Sequence, residues 1–85
     1  MVFSLSVKVR FYDILKDKVS ARHNLDQGCL IIDLKDGATI ADLLLLSGLT
    51  TDEVGLIMIN DRQATANAPL SDGDQVHLFS PLSGG

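Results

Sequence analysis

The chain has 85 residues, of which 46% are hydrophobic and 21% are charged, which suits one domain with one modest core and is too little for two. Its net charge of -4 would repel the phosphate backbone of a nucleic acid, so we expect no nucleic-acid partner. The longest apolar clusters, 43–46 and 56–59, fall far short of the roughly 20 residues that a membrane-spanning helix needs, so we expect no membrane partner either.

The N-terminus and the cysteine content favour a cytoplasmic protein. Residues 1–5 are followed at once by Ser6 and Lys8, without the charged start and apolar stretch of a secretory signal. Cys29 is the only cysteine, so no intramolecular disulfide can form, as is usual in a reducing compartment. We expect Cys29 to be a small buried hydrophobe, because its sequence neighbours offer no cation to activate a thiolate.

Alternating apolar and polar residues predict a half-buried strand over residues 3–12. The side chains expected on its core face are Phe3, Leu5, Val7, Val9 and Phe11. The next segment, 13–28, is polar with only weak helical features, so we predict a connecting loop. A second strand is predicted over 30–35, before the turn pair Asp36 and Gly37.

One helix is predicted, over residues 40–47. Thr39 and Asp42 have the spacing of a capping box, and Gly48 is suited to end the helix. Because this helix would have to cover the sheet alone, we expect most of the leucines at 43–46 to belong to the core.

The second half of the chain predicts further strands. The continuous apolar run 56–59 is typical of a central strand, a short extension is expected over 62–65, and a last strand over 75–79 follows a tight turn at 71–74. The acidic turn lacks the other ligand positions of a calcium loop, and the two histidines are scattered, so we expect no metal and no bound cofactor. This order predicts an α+β fold with the sheet packed against one main helix.

Residues 80–85 would form a tail beyond the domain of residues 1–79. Pro81 favours an extended path, and Gly84 and Gly85, without side chains, fit a narrow channel. If Gly85 is the last residue, its carboxylate can be joined to AMP and then attacked by a sulfur nucleophile. A disordered chain end without any function could have the same sequence. A terminal Gly-Gly occurs by chance in roughly one chain in two hundred, so the pair alone is weak evidence.

Blocks of sequence spread along the chain resemble the MoaD/ThiS sulfur carriers in their order and spacing. These blocks are residues 10–12, 36–44, 59–61, 69–76 and 79–85. The last block, Phe-Ser-Pro-Leu-Ser-Gly-Gly, is similar to the Phe-Pro-Pro-Val-Ala-Gly-Gly ending of MoaD, the small subunit of molybdopterin synthase. Ser80 stands where MoaD has the first proline. The resemblance covers nearly the whole chain.

The resemblance implies a ubiquitin-like β-grasp fold in which the first and last strands are parallel neighbours at the centre of a mixed sheet. It also implies that Gly85 is adenylated by a ubiquitin-activating-like adenylyltransferase that uses ATP, is converted to a thiocarboxylate, and is delivered into the large subunit of molybdopterin synthase. The chain would be a carrier and not an enzyme. Gly84 would allow passage, and partner contacts would fall on Phe79, Pro81, Leu82 and Ser83, although Phe79 could instead close the edge of the core.

Other functions fit the same residues. A ThiS-like carrier for thiamine or another sulfur-transfer pathway is one, although the stretch 11–15 after the first strand favours MoaD. A ubiquitin-like protein modifier is another, because an acyl adenylate can also be attacked by a lysine amine. A third is an interaction domain whose tail is inert.

Overall fold

The computed structural model describes residues 4–81. Its elements in chain order are β1 (Ser4–Phe11), α1 (Asp13–Ser20), β2 (Cys29–Lys35), α2 (Ile40–Ser47), a 3-10 turn (Thr51–Glu53), β3 (Leu56–Ile59), β4 (Arg62–Ala64) and β5 (Gln75–Phe79). The strands form one sheet in the order β2-β1-β5-β3-β4. The fold is therefore α+β, with a mixed five-stranded sheet, as predicted.

The first and last strands are parallel neighbours at the middle of the sheet, as the resemblance implied. Val9 lies opposite Val76, and Phe11 lies opposite Leu78. The other strand pairs, β1 with β2, β5 with β3, and β3 with β4, are antiparallel. Together these pairings give the ubiquitin-like β-grasp arrangement.

The core lies between one face of this sheet and the helices, where the alternation of β1 and β5 predicted it. The strands and α2 contribute the buried side chains Leu5, Val7, Val9, Phe11, Val76, Leu78, Ile40, Leu43 and Leu44. Phe3, also predicted for this face, lies outside the described residues. Within residues 4–81, none of the helices is long and apolar enough to cross a membrane.

The helix α1 corrects the prediction of a loop over residues 13–28. Leu15 and Val19 are one helical turn apart and are both buried, with exposed fractions of 0% and 1%. Their neighbours are mostly polar, so the pattern has little helical signal of its own. Packing of these two side chains against the sheet stabilises a helix that local propensity does not.

The helix α2 begins with the predicted capping box. The Thr39 backbone N–H donates to the Asp42 carboxylate over 2.9 Å, and the Ile40 N–H donates to the Ala68 carbonyl over 3.0 Å. Gly48 ends the helix with a φ of 82°. The backbone N–H groups at the start of the helix are therefore satisfied by Asp42 of the helix and by Ala68 of the loop before β5.

The expectation that most leucines of 43–46 are core is wrong for half of them. Leu43 and Leu44 are buried, but Leu45 is 78% exposed and Leu46 is 55% exposed. Each residue of a helix turns by about 100°, so four in a row cannot share one face.

The strand β3 is not the central strand that its apolar run predicted. It pairs with β5 on one side and with the short strand β4 on the other, so it is second from the edge. Leu56, at its start, is 36% exposed. The middle strand is β5.

The acidic turn before β5 fastens that strand to β1. The Ser6 backbone N–H donates to the Asp72 carboxylate over 2.7 Å, and the Gly73 N–H donates to the Ser6 carbonyl over 2.8 Å. The Asp74 carboxylate accepts the Ser71 N–H over 2.8 Å. These carboxylates are used by the turn itself, which confirms the interpretation of residues 71–74 as a turn.

A surface ion pair links α1 to the 3-10 turn. The Lys18 ammonium contacts the Glu53 carboxylate, which also accepts the Thr50 backbone N–H over 2.9 Å. Lys18 and then Thr50 lower the pKa of Glu53 from its ordinary value. Both charged groups are exposed to solvent, so this pair contributes little to stability.

We predict that Leu15→Ala lowers the free energy of unfolding by about 2–5 kcal/mol, because it removes a fully buried side chain and leaves a cavity. The neighbouring Ile14 is 55% exposed, and Ile14→Ala should change stability by less than about 1 kcal/mol. Urea unfolding followed by circular dichroism measures both. Equal losses for the two variants would contradict the packing of α1 described above.

Candidate functional site

The parallel pairing of β1 and β5 brings two aromatic side chains together where these strands end. Phe11 and Leu78 are register partners with their side chains in the core. The next residue of each strand, Tyr12 and Phe79, therefore points to the opposite face of the sheet, which the helices leave open. The Tyr12 backbone N–H donates to the Leu78 carbonyl over 3.1 Å and extends the pairing by one step.

Tyr12, His77 and Phe79 form a cluster that we call the aromatic platform. The rings of Tyr12 and Phe79 stack with centroids 4.2 Å apart and an angle of 12° between their planes. A hydrogen bond of 2.9 Å joins the Tyr12 hydroxyl to His77 Nδ1. All three residues are partly exposed. The platform is therefore a fixed, partly apolar surface beside the start of the tail.

Basic side chains border the platform on β1. The Arg10 guanidinium carbon lies 6.0 Å from the centre of the Tyr12 ring. Contact with the Tyr12 side chain, and then with Cys29, raises the pKa of Arg10 above its ordinary value. Lys8 and Arg10 line a shallow depression that also includes His77. Asp26 also lines this depression, so two basic side chains face one acidic side chain, and we call Lys8 and Arg10 the basic patch.

Cys29 corrects another expectation. It is only partly buried, and the β1–β2 register places it opposite Arg10. The residues next to Cys29 in the sequence include no cation, but its cross-strand neighbour is Arg10. The expectation was wrong because cross-strand neighbours are distant in the chain.

The tail leaves the sheet directly after the platform. Phe79 and Ser80 are partly buried, Pro81 is exposed, and Ser80 and Pro81 pass over the backbone of Gly55. Phe79 stacks on Tyr12 and is absent from the buried core. The other predicted site residues lie outside the described residues: Leu82, Ser83, Gly84 and Gly85.

The sequence interpretation did not identify Tyr12, His77 or Gly55 as site residues. The resemblance already implied parallel first and last strands, and that pairing would have placed Tyr12 beside Phe79. His77 then follows from the alternation of the last strand. No pattern in the sequence indicates that Gly55 lies under the tail.

The described residues contain no metal site. Within 4–81, no three side chains of His, Cys, Asp and Glu cluster closely enough to hold a metal ion.

The fold and the sequence are similar to known proteins. A family model described as the ThiS family matches residues 14–85. The solution structure of the Haloferax volcanii HVO 2177 protein has a TM-score of 0.74 and 23% identity, over 96% of this chain and 88% of that chain. A Pyrococcus furiosus protein described as molybdopterin converting factor, subunit 1, has a TM-score of 0.70 and 21% identity, over 92% of this chain and 99% of that chain.

The crystal structure of SAMP1 from Haloferax volcanii is also similar, with a TM-score of 0.70 and 21% identity, over 94% of this chain and 99% of that chain. At such low identity these structures establish the fold alone. Among curated proteins, none matches the sequence significantly. Because the family model extends over most of the chain and includes Gly84 and Gly85, this chain belongs to the ThiS family of small, ubiquitin-like sulfur carriers.

Proposed function

We propose that the protein carries activated sulfur on the carboxyl group of Gly85. The observation that carries the proposal is the family match, which continues past the end of β5 at Phe79 and includes the terminal Gly84 and Gly85. Two residues without side chains can lie along a narrow channel and bring a carboxylate to catalytic groups. The domain of residues 1–79 then serves to present the tail of residues 80–85.

The proposed chemistry has three steps, all catalysed by partners. The Gly85 carboxylate attacks the α-phosphate of ATP, diphosphate leaves, and an acyl adenylate forms. The terminal sulfur of a persulfide then bonds to the carbonyl carbon while the bond to AMP breaks. A second thiol attacks the donor's sulfur in the resulting acyl disulfide, forms a disulfide with it, and releases the thiocarboxylate on Gly85. The chain binds no cofactor in this scheme, and ATP belongs to the activating enzyme.

The aromatic platform and the adjoining basic patch are the proposed docking surface for these partners. Aromatic and arginine side chains are enriched among the residues that contribute most to protein interfaces. Phe79 and Pro81 lie where the tail begins, so a partner that binds them is already aligned with the chain that it must receive. Lys8 and Arg10 would favour a partner with acidic groups around the entrance for the tail.

For the pathway, we propose molybdenum cofactor synthesis in the cytoplasm, with the chain as the non-catalytic small subunit of molybdopterin synthase. Two observations support this choice: the Phe-Ser-Pro-Leu-Ser-Gly-Gly ending, and the similarity to a protein described as molybdopterin converting factor, subunit 1. The partners would be an adenylyltransferase of the ubiquitin-activating kind and the large synthase subunit. A carrier for thiamine synthesis is the alternative within the same chemistry.

A second candidate function is protein modification. Two similar structures carry the name small archaeal modifier protein 1 or its abbreviation, SAMP1. The same acyl adenylate would then be attacked by a lysine amine of a target protein, and the carbonyl of Gly85 would end in an amide bond.

We predict that incubation with a cognate activating enzyme, ATP and a persulfide donor replaces one oxygen of the Gly85 carboxylate by sulfur. Intact-mass spectrometry measures the replacement. A chain that ends at Ser83, and a chain with one alanine added after Gly85, should both remain unmodified, because neither presents a terminal glycine pair. Both should unfold at the same urea concentration as the unaltered protein.

Two outcomes would contradict the proposal. If the chain with the added alanine gained sulfur at its new end, the reaction would not depend on Gly85. If the unaltered chain instead formed amide-linked conjugates in cell extracts and gained no sulfur, protein modification would replace sulfur transfer as its function.

We also predict that Phe79→Ala raises the KM of the carrier for its activating enzyme by about tenfold or more. A tenfold change corresponds to a loss of about 1.4 kcal/mol in binding free energy. Tyr12→Phe should have a smaller effect, because it keeps the stacked ring and loses only the hydrogen bond to His77. Leu45→Ala is the matched control, since Leu45 is 78% exposed on α2. Steady-state kinetics with varied carrier measures all three. A KM for Phe79→Ala equal to that of Leu45→Ala would exclude the platform as the docking surface.

A further inference from the structure

Gly55, just before β3, lies directly beneath the first residues of the tail. A Cβ atom added to Gly55 would lie 2.4 Å from the Pro81 Cα, 2.8 Å from the Pro81 nitrogen and 2.9 Å from the Ser80 carbonyl oxygen. All three contacts are with backbone atoms, which cannot rotate away as the end of a side chain can. The tail therefore occupies space that only glycine leaves free.

A hydrogen bond holds the two segments together. The Gly55 backbone N–H donates to the Phe79 carbonyl over 2.8 Å. Leu56 is the register partner of Phe79, so Gly55 and Leu56 both face that one residue. Gly55 lies just outside β3, so this hydrogen bond stands at the point where the pairing of β3 with β5 ends. The tail thus departs from β3 at a defined point.

Gly55 is needed here for space and not for an unusual backbone conformation. The described glycines with positive φ are Gly28, Gly37, Gly48 and Gly73. Gly55 is absent from that set, so alanine can adopt its φ without strain. Gly37 offers the opposite case, because it has a φ of 90° and no atom within 4 Å of an added Cβ. Comparing alanine variants at the two positions therefore separates the effect of a steric collision from the effect of backbone strain.

We propose that Gly55 is a positioning residue that fixes the direction in which the tail leaves the sheet relative to the aromatic platform. The inference rests on the proposed function, since it concerns delivery of the same carboxylate. A partner that binds Tyr12 and Phe79 has its catalytic groups at a set distance from them. The carboxylate reaches those groups only if the first residues of the tail leave the sheet in the direction of those groups.

A side chain at position 55 therefore separates docking from delivery. The atoms nearest an added Cβ belong to the backbone of Ser80 and Pro81, so the displacement falls on the tail, and we expect the rings of Tyr12 and Phe79 to stay stacked on each other. Docking then continues, but fewer bound carriers present the carboxylate correctly. Misplacement by about 1 Å can reduce a rate by about a hundredfold.

The test compares the kinetics of full-length Gly55→Ala with those of the unaltered carrier, using the activating enzyme, ATP and persulfide donor. We expect kcat to fall by about 10- to 100-fold, and KM for the carrier to change far less, because Tyr12 and Phe79 keep their places and only the contact through Pro81 is displaced. Gly37→Ala is the control for general destabilisation, because it strains a turn without touching the tail. It should keep both kcat and KM, and urea unfolding compares the stability of the two variants.

A double variant tests the contact itself. Pro81→Gly lets residues 80 and 81 adopt other conformations and relieves the collision with an alanine at position 55. The loss of kcat caused by Gly55→Ala should therefore be smaller in a Pro81→Gly background than in the unaltered one, as expected for two coupled positions.

The outcomes distinguish this inference from the proposed function. An unchanged kcat for Gly55→Ala, or an equal loss of kcat for Gly37→Ala, overturns the role of Gly55 and leaves the sulfur-carrier function in place. Strictly additive effects of Gly55→Ala and Pro81→Gly also overturn it. If the unaltered chain gains no sulfur, both the proposed function and this inference fail.

Discussion

The parallel pairing of β1 with β5 is the contact on which the rest of the structure depends. These two strands occupy the middle of the sheet and supply its most buried side chains, including Val9 and Val76. The same register places Tyr12 beside Phe79 on the opposite face. One set of backbone hydrogen bonds therefore holds the core together and assembles the surface beside the tail.

Much of the fold was predictable because its signals are local. The alternation of apolar and polar residues predicted the buried face of β1, and the Thr39–Asp42 capping box predicted the start of α2. The helix α1 was missed, since its stability comes from two side chains, Leu15 and Val19, that pack on residues distant in the sequence. A local sequence pattern does not indicate such long-range contacts.

The candidate site was predictable only in part, for the same physical reason. Phe79 and Pro81 could be selected because they belong to a short motif near the chain end. Cys29 was misjudged, because its neighbour Arg10 is on another strand. Gly55 had no signal at all, since a glycine that makes room for a distant segment looks like any other glycine before the structure is known.

The direction of β1 has a practical consequence for labelling the protein. Because β1 and β5 run parallel, the chain enters β1 at the end of the sheet opposite to the one from which the tail leaves. At roughly 3.3 Å per residue, the length of β1 separates Ser4 from Tyr12 by roughly 25 Å. If the proposed function holds, a fluorophore or affinity tag attached ahead of Ser4 is kept away from the end of the sheet at which partners bind, whereas the same tag after Gly85 would block the carboxyl group that is proposed to react.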